Sequence, residues 1–451
     1  MTRADAIARA TEYFDSGAFL ADLTRRVAYH TEAGHPDRYT YLAEEMVPAA
    51  QRLGATADVV DNPVPGGPPF LIAHRHESDD RPTLLTYGHA DVVLAESHRW
   101  RADLDPWRVT VEQDRWYGRG TADNKGQHTI NLAALEHVLR TRGRLGFNLT
   151  ILIETGEETG SAGLRELCAD RHDELAADLL IASDGPRVAA SRPTVFLGTR
   201  GTAGFALRVP LRDRAFHSGN WGGLLRNPAT VLANAIACLV DGRGRILVPG
   251  LRPPSIPDNV RTALRSVPIG GDTDDPAVDT DWGEPGLTPA ERLVGWNTLE
   301  VLSLAAGNPD TPIGAIPGSA HAHCQLRFVV GTEIDNLVPI LRAHLDTHGF
   351  PMVEIEPFLV MGASRADPDN EWVRFTMASL ARTEGVAPTL LPNLGGSLPN
   401  DCFADGLGLA TIWIPHSYPA CAQHAPDEHL LASLARQALG LMAGLFWDLG
   451  E

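Results

Sequence analysis

Histidines and carboxylates recur at five places in this sequence, most of them among glycines. The segments are Gly88-His89-Ala90-Asp91, 118–126, 154–160, Asp184-Gly185 and 424–429. Imidazole and carboxylate ligands without thiolates are typical of sites for borderline-hard divalent cations. One such segment alone is as easily a turn or a surface loop. Five of them in one chain favour a shared metal centre.

These segments follow elements that alternate between strands and helices. Strands are predicted at 83–87, 147–153 and 179–183, and helices at about 38–53, 125–142 and 161–174. This alternation indicates a parallel α/β sheet. Ligands bind such sheets beyond the carboxyl ends of the strands. The segments therefore stand where such a sheet builds its site.

The composition changes near residue 195, where a second pattern begins. Strands are expected at 204–211, 320–330 and 352–357, helices at 227–240 and 333–347, and long loops at 241–290. From about 366 the first pattern resumes. We predict a first domain made of 1–194 and 360–451, with an inserted domain at 195–359.

Composition and charge exclude several classes of protein. The 451 residues carry 38 basic against 57 acidic side chains, a net charge of −19, so neither nucleic acid nor an anionic membrane surface is an expected partner. No apolar run is long enough to span a membrane, and no signal peptide is expected at the N-terminus. The five cysteines have no CxxC spacing. They predict no disulfide framework and hence a reducing, cytoplasmic location.

The motifs resemble those of the co-catalytic dizinc peptidases and amidohydrolases, which include carnosinases, bacterial dipeptidases, aminoacylases and glutamate carboxypeptidase. The resemblance runs through GHADVV, GRGTADNKG, ETGEETGS, ASDG and the segment at His424. Through FHSGNWGG and GGSLP it is closest to the carnosinase-like dipeptidases, and Lys125, the only lysine, completes a D-x-K-G motif. It implies an α/β catalytic domain with a mixed sheet between helices, plus an inserted ferredoxin-like α+β domain for closure and dimerisation.

The resemblance also implies two divalent ions per chain, with zinc expected and manganese or cobalt as alternatives. His89 and Asp184 would bind one ion, Glu158 and His424 the other, and Asp123 would bridge them. A shared carboxylate offsets the repulsion between cations that lie ~3.5–4 Å apart.

Two acidic residues are expected to act beside these ligands. Glu157 would be the general base and acid, taking a proton from a metal-bridging water and delivering it to the leaving amine. From the residues alone either Glu157 or Glu158 could be the ligand, because one turn can present both; the family pattern makes the first the base. Asp91 would accept the free N–H of the His89 imidazole, unless it is a simple turn residue.

The remaining implied residues contact the substrate. His217 would reach the active site of a partner subunit and polarise the scissile carbonyl, which implies a homodimer. Arg327 and the loop Gly395-Gly396-Ser397 would hold the substrate carboxylate. The simpler alternatives are that His217 is a surface or dimer-interface histidine, that Arg327 is an ordinary strand arginine, and that the loop is a plain glycine turn.

Some residues fit no family pattern. The segment 398–423 carries Cys402, His416 and Cys421, for which we predict no role, and His321 and His323 face one side of a strand. A third metal site is not expected at any of them.

We predict hydrolysis of the amide bond of a dipeptide or similar small substrate with a free carboxylate. In the family, aspartate at the position of Asp184 accompanies dipeptidases and aminopeptidases. One alternative is an N-acyl amino acid amidohydrolase, and another is a non-catalytic binding protein of the same fold. A dizinc fold without an inserted domain is disfavoured by the long stretch between Asp184 and His424.

Overall fold

The computed structural model describes residues 1–270 and 277–451. Within them the α-helices are α1 (Arg3–Asp15), α2 (Ala18–Val27), α3 (Asp37–Tyr41), α4 (Val47–Arg52), α5 (Lys125–Arg142), α6 (Leu164–Asp170), α7 (His172–Leu175), α8 (Ser218–Trp221), α9 (Pro228–Leu239), α10 (Asp258–Leu264), α11 (Pro289–Val294), α12 (Leu337–Thr347), α13 (Glu371–Glu384), α14 (Asn400–Ala404) and α15 (Ala432–Leu449).

The strands in the same ranges are β1 (Thr56–Val60), β2 (Phe70–Arg75), β3 (Thr83–His89), β4 (Thr110–Glu112), β5 (Arg115–Tyr117), β6 (Asn148–Glu154), β7 (Leu179–Ala182), β8 (Thr194–Phe196), β9 (Gly198–Thr199), β10 (Gly201–Pro210), β11 (Phe216–His217), β12 (Thr298–Ala305), β13 (Ala315–Ile316), β14 (Ser319–Phe328), β15 (Glu354–Met361), β16 (Ser364–Arg365), β17 (Thr389–Leu391), β18 (Ala410–Trp413) and β19 (His429–Leu431).

A mixed sheet of eight strands, in the order β1-β2-β6-β3-β7-β18-β8-β17, forms the larger part of the fold. Side chains alternate between its two faces. Leu84 and Leu149 belong to a core with α1, α5, α13 and α15. Leu85 and Leu152 belong to a second core, with α6 and α14 on the opposite face. Because both faces are covered, β6 is buried along its whole length. The predicted mixed sheet between helices is confirmed.

A smaller antiparallel sheet, in the order β12-β14-β10-β15, is inserted between β8 and β17 along the chain. The helices α9 and α12 cover one of its faces, where Leu232 and Leu341 pack against Leu207 and Leu326. This is the expected ferredoxin-like α+β arrangement. The exact domain boundaries at 194/195 and 359/360 stay a prediction.

The prediction of long loops at 241–290 is wrong for part of that range, while 271–276 lie outside the described residues. The helix α10 forms there, and α11 begins at the end of the range with a capping box between Thr288 and Glu291. Val260 and Val294 from these helices pack with Leu391 and Leu398 of the larger, first domain. The helices are short and flanked by proline and glycine, so burial by a distant segment stabilises them more than local propensity does.

Among the described residues, none of the helices has the length and apolar character needed to cross a membrane.

Candidate metal centre

Three of the candidate ligands follow neighbouring strands of the central sheet. His89 ends β3, Glu158 follows β6 in the 3-10 turn Glu157–Thr159, and Asp184 follows β7. β3 pairs in parallel with both β6 and β7, so the carboxyl ends of these strands lie at one edge of the sheet. Asp123 lies just before α5, and His424 lies in the segment before β19. Both loops reach the same edge.

Asp123 lies between two pairs of these side chains. Its Oδ1 is 3.0 Å from His89 Nε2, and the same nitrogen is 3.4 Å from Asp184 Oδ2. Its Oδ2 is 3.1 Å from His424 Nε2, which is also 3.1 Å from Glu158 Oε2. The structure therefore brings the five residues together in the same grouping that the family resemblance implies.

The chemistry of this cluster fits divalent cations. Ligand atoms of His89, Asp123 and Glu158 lie within 4.8 Å of one another. Glu158 Oε1 and Asp184 Oδ2 are buried without a hydrogen-bond partner, which is costly for polar atoms. Burial and the nearby Asp123 carboxylate raise the pKa of Glu158 to about 7 and raise the pKa of Asp184. Cations among these carboxylates would relieve both the repulsion and the unpaired oxygens.

Glu157 lies at the start of the same turn as Glu158. Burial raises the pKa of Glu157 well above its ordinary value, and the neighbouring Asp184 and Glu158 carboxylates raise it further. A glutamate with a raised pKa is a stronger proton acceptor than an ordinary one.

The Asp91 side chain holds the turn that carries both glutamates. Its two oxygens accept the backbone N–H groups of Glu157 at 3.1 Å and Glu158 at 3.0 Å. The nearest acceptor of His89 Nδ1 is the Asp91 backbone carbonyl at 3.1 Å, while the Asp91 carboxylate lies 3.5 Å away. The expected contact with the imidazole is thus made mainly through the backbone, because the carboxylate is engaged by the turn.

The Glu428 side chain holds the loop that carries Asp123, a role that the sequence analysis missed. Its buried carboxylate accepts the backbone N–H groups of Gly120, Ala122 and Asp123 at 2.9–3.0 Å. It also pairs with the buried Arg119 guanidinium at 2.8 Å. The available signal was an acidic residue close to His424, but nothing in the sequence matched it to a loop some 300 residues earlier.

Replacing Glu428 by glutamine should lower the free energy of unfolding by about 3–5 kcal/mol, because the buried Arg119 charge loses its partner. Urea denaturation of wild type and E428Q measures this difference. Adding Arg119→Met to E428Q removes the unpaired charge and should recover part of the loss. Wild-type stability of E428Q, or a double variant no more stable than E428Q, would contradict the role of this ion pair.

Lys125 is buried outside the ligand cluster. Its Nζ donates to the Tyr29 carbonyl at 2.7 Å and lies 5.3 Å from the centre of the Tyr41 ring. Burial lowers the pKa of Lys125 to about 7. The lysine of the D-x-K-G motif therefore joins the start of α5 to the N-terminal helices.

Arg327 and the glycine-rich loop come together between the two sheets. Arg327 Nη1 donates to Ser397 Oγ at 2.8 Å, and Ser397 Oγ donates to the Arg200 carbonyl at 2.7 Å. The Arg200 guanidinium in turn donates to the Gly395 carbonyl at 3.0 Å. Arg200, which the sequence analysis did not single out, thus supports this loop.

An apolar cavity of about 550 Å³ adjoins the same loop. Its lining includes Gly395, Gly396, Val188, Leu293 and Leu394. Leu394 also lies against the position where Gly185, next to Asp184, would carry a side chain. The cavity therefore lies beside both the glycine-rich loop and the Asp184 segment.

His217 is not brought to the cluster within one chain. It is exposed at the start of α8, and its Nδ1 accepts the backbone N–H of Gly219 at 3.1 Å. Its backbone pairs with Ala315. The contact that the structure describes for its ring is therefore with a residue two positions away in the chain.

The remaining histidines and cysteines named in the sequence analysis are placed separately. His416 is buried and lies 3.0 Å from Ser183 Oγ, while Cys402 and Cys421 are buried free thiols. In the part of the chain that the structure describes, these three form no metal-ligating group. His321 and His323 lie on the exposed face of β14.

A family model described as Peptidase family M20/M25/M40 matches residues 85–447. The chain belongs to this family, and its resemblance to the dizinc peptidases is confirmed at that level.

Curated relatives agree with this membership. The chain is 33% identical to human Beta-Ala-His dipeptidase over 257 residues, which cover 53% of this chain and 50% of that protein. It is 29% identical to Cysteinylglycine-S-conjugate dipeptidase of Corynebacterium striatum over 294 residues, 62% of this chain and 63% of that protein. The match thus spans about half the length of the human relative.

The M20 family metallo-carboxypeptidase Sso-CP2 from Sulfolobus solfataricus has the same fold, with a TM-score of 0.83. The superposition covers 96% of this chain and 99% of that chain at 24% identity.

Proposed function

We propose that this chain is a metal-dependent hydrolase that cleaves the amide bond of a dipeptide or similar small substrate with a free carboxylate. The buried cluster around Asp123 carries this proposal, since two histidines and three carboxylates converge there with unpaired oxygens. His89 and Asp184 would hold one ion, Glu158 and His424 the other, and Asp123 both. Zinc is the expected metal, and manganese and cobalt suit the same ligands. A bound pair of such ions acidifies a water molecule and polarises the scissile carbonyl.

Glu157 would move the proton. It takes the proton from the attacking water and delivers it to the nitrogen of the leaving amine, so that one residue acts first as base and then as acid. Its raised pKa supports the first step, because it makes the carboxylate a stronger proton acceptor. Asp91 would keep Glu157 in place through the backbone of its turn.

Arg327 and Ser397 would anchor the substrate carboxylate. A guanidinium binds a carboxylate through two parallel hydrogen bonds, and Arg327 is already held by Ser397 Oγ at 2.8 Å. The adjoining apolar cavity would accept a nonpolar side chain of the substrate. The names of the two dipeptidase relatives support the same class of substrate.

We further infer that the enzyme works as a cytoplasmic homodimer. Because His217 is exposed and makes local contacts in its own chain, it is available to a second copy. A histidine donor at the carbonyl oxygen would stabilise the developing negative charge. The five free cysteines fit a reducing compartment.

A competition assay tests the substrate class. The purified chain, supplied with zinc or manganese, is incubated with a mixed pool of dipeptides and N-acyl amino acids, and depletion is followed by mass spectrometry. Dipeptides with a free amine should disappear. Depletion of the acylated amino acids instead would favour the N-acyl amino acid amidohydrolase. With both metals bound and no depletion, the non-catalytic alternative would gain support.

A further inference from the structure

A second group of ligand-type side chains lies in the smaller domain, outside the cluster described above. Cys238 is in the last turn of α9, His344 is in the last turn of α12, and His348 directly follows that helix. Each residue offers one ligand atom, and these atoms lie within 4.8 Å of one another. Cys238 and His344 are half-buried and His348 is exposed, so an ion from solvent can reach them.

Both imidazoles of this group are held by backbone carbonyls. His344 Nε2 lies 2.8 Å from the Cys238 carbonyl oxygen, and His348 Nδ1 lies 2.8 Å from the His344 carbonyl oxygen. Because a carbonyl oxygen only accepts, these two nitrogens are the protonated ones. The other nitrogen of each neutral ring keeps its lone pair. Metal-binding histidines commonly donate the second ring N–H to a carbonyl or carboxylate. Here the two rings lie against each other, with centroids 4.2 Å apart and 31° between their planes, so the exposed His348 ring must turn for both lone pairs to meet one ion.

The thiol is the third donor. The Cys238 thiol donates to the Ala235 carbonyl at 3.0 Å, and burial raises the pKa of this thiol. Without a cation it is therefore protonated at neutral pH. A coordinating divalent ion deprotonates a thiol outright. The S–H bond breaks as the sulfur–metal bond forms, the proton leaves to the solvent buffer, and no oxidation occurs.

We propose that Cys238, His344 and His348 bind one divalent transition-metal ion of the zinc or cobalt type, separately from the catalytic pair. A set of one thiolate and two imidazoles selects such ions over magnesium, calcium and manganese, which prefer oxygen ligands. The bound ion would join the ends of α9 and α12. This site would differ from the catalytic cluster, which offers nitrogen and oxygen ligands.

Cobalt substitution tests the proposal with a readout that does not depend on activity. The full-length chain is stripped of metal with a chelator and titrated with Co²⁺. A thiolate bound to Co²⁺ produces a charge-transfer band in the near ultraviolet, which histidine and carboxylate ligands do not. We expect this band in wild type, with about three cobalt ions bound per chain, two at the catalytic cluster and one here.

Matched variants assign the band. Cys238→Ser should abolish the band and one of the bound ions while dipeptide hydrolysis persists, and His348→Ala should weaken the third site. His323→Ala, an exposed histidine on β14 of the same domain, should keep both the band and the third ion. A wild-type titration without the band, or a band that survives in Cys238→Ser, would overturn the proposal. If wild type and His323→Ala show the band but neither hydrolyses dipeptides, the result would instead count against the proposed function.

Discussion

Replacing Glu157 by glutamine should lower kcat for dipeptide hydrolysis by about 10²–10⁴-fold while both metal ions stay bound. Glutamine has nearly the same shape as glutamate but neither accepts nor returns the proton. The distances of 3.0–3.4 Å that define the cluster join residues other than Glu157. Steady-state kinetics and metal analysis of the purified variant measure the two effects separately.

Glu158→Gln is the matched control, since it makes the same change of charge in the same turn. Because Glu158 Oε2 lies 3.1 Å from His424 Nε2 within the cluster, this variant should lose metal as well as activity. If E157Q loses a metal ion and E158Q keeps both, the roles of the two glutamates are exchanged. If E157Q keeps wild-type kcat, the proton is moved by another group.

Replacing His217 by alanine should lower kcat by about 10²–10³-fold, the cost typical of losing one donor to a developing oxyanion. Since this histidine is proposed to act on the active site of the other subunit, the loss should be complemented in mixed dimers. A heterodimer of H217A and E157Q has one complete site, made of the Glu157 of one chain and the His217 of the other. Random mixing in equal amounts should therefore restore roughly a quarter of wild-type activity.

The complementation experiment needs subunits that exchange, so the two variants are unfolded and refolded together, or co-expressed with different tags. His323→Ala, an exposed histidine of the same domain, should retain full activity in both arrangements. A mixture no more active than the sum of its separate variants would contradict the action in trans. So would a fully active chain that sediments as a monomer.

The central strands were predictable because each is a short, nearly continuous apolar run bounded by polar residues, glycine or proline. β6 illustrates this, since all of its residues are buried and the predicted range 147–153 differs from the observed one by a single residue at each end. By contrast, α10 and the start of α11 were missed at positions predicted as loops. Their apolar residues meet Leu391 and Leu398, which are distant in sequence, so no local periodicity indicated them.

The positions of the candidate site residues relative to their own strands were determined by the sequence alone. His89 ends β3 and Asp184 follows β7, and the carboxyl ends of parallel strands share one edge of a sheet. The types of side chain at that edge already indicated a divalent metal centre. The sequence determined this placement because backbone geometry and hydrophobic pattern are local properties.

Only the tertiary structure decided which distant groups meet. Asp123 and His424 are 301 positions apart in the sequence, yet Asp123 Oδ2 lies 3.1 Å from His424 Nε2. Arg327 Nη1 likewise donates to Ser397 Oγ across the junction of the two sheets. The support of Gly120 and Asp123 by Glu428 likewise depends on how β19 is placed. Contacts of this kind need atoms to be placed within a few tenths of an ångström by the packing of whole elements, and a linear pattern of residue types does not contain that information.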